Sequence, residues 1–140
     1  MILIGATVLL SSTAVILLLR RRLIVVAVSG PSMEPTYTDG QRLLACRRSC
    51  GSFRAGQVVV IDTSPPSENP GPATNIVKRI VALPGQRVPC AVGGRVSGAV
   101  VPPNHIVVLG DNRDLSVDSR QLGFISTHRV VARVVRAMSL

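Results

Sequence analysis

Apolar positions in this chain fall into short runs broken by glycine, proline and small polar residues, and only the first run is long. Residues 1–19, MILIGATVLLSSTAVILLL, carry no charged side chain. As a helix rising ~1.5 Å per residue they span about 28 Å, close to the ~30 Å hydrocarbon core of a bilayer. Arg20, Arg21 and Arg22 follow. A cleavable secretory signal carries its positive charges before the apolar run and a small-residue cleavage site after it. The reversed order predicts a retained single-pass anchor over residues 1–22, with a separate domain over 23–140.

Beyond Arg22 the pattern changes to short β-branched segments. LIVVAVS (23–29), QRLLAC (41–46), QVVVID (57–62), NIVKRIVAL (75–83), RVPCAV (87–92) and HIVVLG (105–110) read as strands punctuated by turn residues. TSPPSENPGPAT (63–74), with its four prolines, reads as an exposed loop. HRVVARVVRAM (128–138) fits a long strand or a helix. Regularly spaced short strands without intervening helices predict a mainly β domain, with no repeat and no second folded unit.

Composition adds less. The net charge of +9 raises the question of nucleic acid, but the arginines are scattered and Tyr37, Phe53 and Phe124 are the only aromatics available for base stacking. Nucleic acid is therefore not an expected partner, whereas anionic membrane lipids are. Cys46, Cys50 and Cys90 are odd in number, so one lacks an internal partner; Cys46 and Cys50 flank a hairpin tip. Their spacing has no second pair to complete a metal site, and neither a metal nor a cofactor is expected.

One detail stands out against this background: fifteen arginines and a single lysine, Lys78, inside an apolar strand. Alternation puts Ile76, Lys78, Ile80 and Ala82 on one face. The ordinary reading is an edge-strand lysine whose stem lies on the surface while its head reaches water. The functional reading needs lysine specifically, because arginine stays protonated whereas a desolvated lysine can serve as a neutral general base. A base needs a nucleophile, and SGPSMEPTY (29–37) offers Ser32 at a Gly30-Pro31 corner, with Pro35 stiffening the turn. Alone, such a serine is a turn residue. A third segment, GDNRDLSVDSRQLGF (110–124), gathers Asp, Asn, Ser and Arg after a strand.

Together, SMEPT, KRIVALPG and GDNRDLSVDSRQLGF resemble, in order and approximate spacing, the type I signal peptidases, over about residues 24–136. The resemblance implies a membrane-anchored serine endopeptidase that removes signal peptides from exported preproteins. Ser32 would be the nucleophile and Lys78 the general base of a Ser-Lys dyad. Ser116 would hydrogen-bond the lysine, and Asp118 and Arg120 would brace the site as an ion pair. Met33, Pro35, Ile76 and Ile80 would shape shallow pockets for small side chains at positions −1 and −3. Some relatives carry a second oxyanion donor, a serine, where this chain has Gly30.

The resemblance implies a domain on the outer side of a plasma membrane or an organelle inner membrane. Arg20–Arg22, read by the positive-inside rule alone, point the other way. The pairs Gly40-Gln41, Gly56-Gln57 and Gly85-Gln86 stand where the family often has Gly-Asp, which predicts altered turn hydrogen bonding. The short span between Lys78 and Val101 fits a minimal general enzyme or a peptidase dedicated to one precursor. Two other readings are a self-cleaving repressor-type protease, which lacks its DNA-binding domain here, and a non-catalytic membrane-anchored binding module.

Overall fold

The computed structural model describes residues 22–47, 52–64 and 74–138. The expected anchor (1–22) apart from Arg22, together with Cys50 and most of the proline-rich loop, lies outside the described residues. Among the described residues no helix is long and apolar enough to cross a membrane.

The mainly β expectation holds. Strands β1 (Leu23–Ala27), β2 (Arg42–Arg47), β3 (Val58–Asp62), β4 (Asn75–Ala82), β5 (His105–Leu109), β6 (Ile125–Ser126) and β7 (Val130–Ala137) form one sheet. Its order is β1-β2-β7-β3-β4-β5-β6, and every pairing is antiparallel. One helical turn, α1 (Ser119–Leu122), interrupts the run of strands between β5 and β6.

The unbroken apolar run of β3 has a direct cause. A strand covered on both faces needs hydrophobic residues at every position rather than at alternate ones. Val58 and Val60 join a cluster with Val28, Met33, Leu43, Ala45, Val77 and Ala132. Val59 and Ile61 point the other way, into a cluster with Ile80, Ile106, Val108, Ile125 and Val130. Lys78 pairs with Val59 across β3/β4, so its side chain leaves β4 on the face of this second cluster.

The segment 128–138 resolves as a strand from Val130, squeezed between β2 and β3. Two expectations are corrected. RVPCAV is not a strand: it makes a single bridge, Arg87 to Val100, and then two 3-10 turns, Cys90–Val92 and Gly94–Val96. Pro89 has no N–H for a ladder, and Gly93 and Gly94 have φ of 71° and 68°, which ends any extended run. Nor do the four expected residues of β4 share a face. The register shifts between Ile80 and Ala82, so Ile80 opposes Val108 while Ala82 opposes Val107. That bulge turns Ala82 into a third cluster with Val88, Val96, Val101 and Val107.

The three Gly-Gln turns share one device. Each glutamine Oε1 accepts the backbone N–H three residues earlier: Thr38 for Gln41 (3.1 Å), Arg54 for Gln57 (2.9 Å) and Leu83 for Gln86 (2.8 Å). The amide oxygen thus supplies a turn acceptor without a charge. Cys46 is disulfide-bonded, and Cys90 is free and exposed.

Candidate active site

Ser32 sits in a 3-10 turn, Pro31–Met33, just after β1. Gly30 precedes it at φ 82°, ψ 171°, a backbone conformation that L side chains rarely adopt, so a serine there would be strained although the space is open. Its N–H donates to Asp39 Oδ1 at 2.7 Å. Met33 anchors the turn from beneath with no exposed surface, and its carbonyl accepts from Tyr37 N–H at 3.0 Å. The turn is therefore bolted to the first core cluster on the far side of the sheet from Lys78.

Lys78 is 3% exposed, and its Nζ donates to Ser32 Oγ at 2.7 Å. Burial among aliphatic side chains lowers its pKa; the negative charge of Asp118 pulls it back up and the positive charge of Arg120 pushes it further down.

The third segment closes the site from the opposite side. Asn112 N–H donates to Ser32 O at 3.0 Å, tying the loop after β5 to the serine turn. Asp118, fully buried, caps α1. Its Oδ2 accepts from Gly110 N–H at 3.0 Å and Ser116 Oγ at 2.9 Å, and its Oδ1 accepts from Arg120 Nε at 2.9 Å. Burial pushes this carboxyl's pKa up, but the hydrogen bonds from Arg120, Gly110 and Ser116 prevail and hold it below the usual range. Arg120 also donates to the carbonyls of Arg113 (2.6 Å) and Ser116 (3.2 Å), fixing the loop's course.

Five of the expected residues, Ser32, Lys78, Ser116, Asp118 and Arg120, thus converge. Ser116 donates its proton to Asp118, and the hydrogen bond expected between it and Lys78 is not made; Lys78 Nζ contacts Ser32 instead. The residues expected to line shallow pockets divide. Met33 and Ile80 are wholly buried and can shape a cleft only from below; Ile76 is half-buried, and Pro35 is exposed.

Three features escaped the sequence reading. Arg79 leaves β4 away from Lys78 and grips Asp111 with two bonds, Nε to Oδ1 at 2.9 Å and Nη2 to Oδ2 at 2.6 Å. Asn112 holds the Ser32 carbonyl. Gly110 lets the serine turn and the loop after β5 approach closely: a Cβ there would clash with Ser116 and stand 2.6 Å from Ser32 O. A glycine where a strand could continue is a known sign of close backbone approach, and that signal was available.

The chain is similar to known signal peptidases over most of its length. The family model described as "Signal peptidase, peptidase S26" matches residues 2–97 and 92–138. Signal peptidase I of Bacillus licheniformis is 34% identical over 137 residues, covering 74% of this chain and 69% of that protein. Mitochondrial inner membrane protease subunit 1 of Xenopus tropicalis is 38% identical over 102 residues, covering 70% and 58% respectively. The mouse protein of the same name is 33% identical over 113 residues, covering 78% and 65%.

Proposed function

We infer the activity of this chain from a premise now in hand: it belongs to the signal peptidase family, peptidase S26. The reading is a membrane-anchored serine endopeptidase that cleaves signal peptides from exported preproteins. The observation that carries it is the 2.7 Å contact between Lys78 Nζ and Ser32 Oγ at a buried lysine.

Neutral Lys78 takes the Ser32 proton as Oγ attacks the scissile carbonyl carbon. The backbone N–H of Ser32 faces the developing oxyanion. The resulting ammonium protonates the leaving amine, the C–N bond breaks, and an ester on Ser32 remains. Lys78, neutral again, deprotonates a water that hydrolyses this ester, and Ser32 recovers its proton. Asp118 and Arg120 hold the loop against the dyad and, through Ser116, keep a hydroxyl beside it.

The peptide's path follows from the sheet. β4 pairs with β5 only from Arg79 onward, so among the described residues the β5-side edge of Asn75–Lys78 has no strand beside it. An extended peptide can add along that edge, with small −1 and −3 side chains on the side supported by Met33. Residues 1–19 would hold the domain at the bilayer, where such a peptide emerges. The name of the mitochondrial inner membrane protease relatives supports a membrane location and keeps open a dedicated maturation role of the same chemistry.

The test is cleavage of a preprotein by the full chain in detergent or vesicles. Wild type is expected to cut after a small residue, and Ser32→Ala, Lys78→Ala and Lys78→Arg to be inactive. Failure of the wild-type chain to cut any preprotein would favour the non-catalytic alternative, and processing by Ser32→Ala at the wild-type rate would refute Ser32 as the nucleophile.

A further inference from the structure

On the same face of β4 as Lys78, two residues toward its start, lies a cavity of about 400 Å³ that the chemistry above does not use. Ile61 and Ile76, paired across β3/β4, form its floor, and Val117, Leu122, Phe124 and Ile125 wall it from the loop side. Val117 and Leu122 remain 63% and 47% exposed, an apolar rim with no described neighbour to cover it. The volume falls within the usual range for ligand pockets. Val117 lies between Ser116 and Asp118, so one wall of the cavity is continuous with the site.

Successive side chains of an extended peptide point to opposite faces. If −1 and −3 meet the Met33 side, then −2 and −4 project to the Lys78 side, where the cavity opens. We propose that this cavity is a specificity subsite that takes a large aliphatic side chain from an even-numbered position upstream of the scissile bond. The inference rests on the proposed peptidase reading. Arg129 also lines the cavity, so a cationic side chain meets like charge there.

The experiment compares kcat/KM for peptides that share small −1 and −3 residues and differ only at −2 or −4, carrying glycine, leucine or lysine. Leucine at one of these positions should exceed glycine by about tenfold, as expected for filling an apolar pocket, with lysine at or below glycine. In Leu122→Glu, at an exposed rim position, the leucine-to-glycine ratio should fall toward one and the lysine peptide should gain. A second rim variant, Val117→Gln, should lower the same ratio. Equal rates for all wild-type peptides overturn the subsite alone. So does a uniform acceleration by phosphatidylglycerol vesicles with no side-chain preference, which would make the cavity a lipid contact. Failure to cut any peptide overturns the peptidase reading and the subsite with it.

Discussion

Lys78 Nζ and Ser32 Oγ meet at 2.7 Å although 46 residues separate them in sequence. The contact joins a side chain from a doubly covered strand to a turn bolted to the opposite face of the sheet. Its consequence is a pH dependence. In the proposed mechanism the working form of Lys78 is neutral, and burial lowers its pKa. Activity should therefore rise with pH along a limb whose midpoint lies below the ordinary lysine value. Because the charge of Arg120 helps to lower that pKa, Arg120→Gln should move the midpoint upward. A midpoint at the ordinary lysine value in wild type would contradict the neutral-base mechanism.

The same burial sets a stability prediction. With the folded-state pKa below the unfolded one, the unfolded chain binds more protons between the two values, so Lys78 makes stability increase with pH across that window. Lys78→Met keeps the stem and removes the desolvated amine. The variant should be inactive yet no less stable, within about 1 kcal/mol, and should lose that slope. Thermal melts at several pH values decide it. A fall of more than about 5 °C at neutral pH, roughly 1 kcal/mol for a domain this size, would mean that the amine is structurally required.

Gly110 offers a steric test. An added methyl would press on Ser116 and the Ser32 carbonyl, neither of which can withdraw without moving the site. Gly110→Ala should lower kcat by about 100-fold, the scale expected for misplacing reacting groups by up to 1 Å. Gly56→Ala serves as the contrast. There the space is open and only the φ of 85° resists, so stability should drop by about 1 kcal/mol with a smaller effect on kcat.

How much of this was legible beforehand differs by element. The strands were readable because their β-branched runs and turn residues are local signals. The pairing of Lys78 with Ser32 was readable because lysine is singular in an arginine-rich chain and three motifs occur together. The bulge at Val81 was not, since alternation carries no information on where a ladder slips. RVPCAV misled because its apolar content suited a strand while Pro89 and the following glycines forbade one. The buried state of Met33 and Ile80 was equally hidden: a sequence marks a residue as apolar but does not say which side of a cleft it lies on. Arg79 and Asp111 looked like separate solvated charges, because 32 residues divide them and only the fold brings them face to face.

That pair yields the last prediction. Arg79 binds Asp111 in a two-pronged contact, donates to Gly56 O at 2.9 Å, and thereby links β4, the turn before β3 and the loop after β5. Hydrogen bonding from Arg79 holds the Asp111 carboxyl below the usual range, with burial opposing and Thr36 assisting. A lowered carboxyl pKa contributes stability that is fully present above the ordinary carboxylate value and lost as pH falls through the folded-state value. Asp111→Asn should therefore cost about 1–2 kcal/mol at neutral pH, and the gap from wild type should close in acid. A double-mutant cycle with Arg79→Gln should give a coupling of about 1 kcal/mol, since the pair is only partly buried. Activity should fall more than stability alone explains, because Asn112, the next residue, holds Ser32 O. Denaturant unfolding across pH measures the first two effects and steady-state kinetics the third. Zero coupling with unchanged kcat would reduce the ion pair to a surface contact.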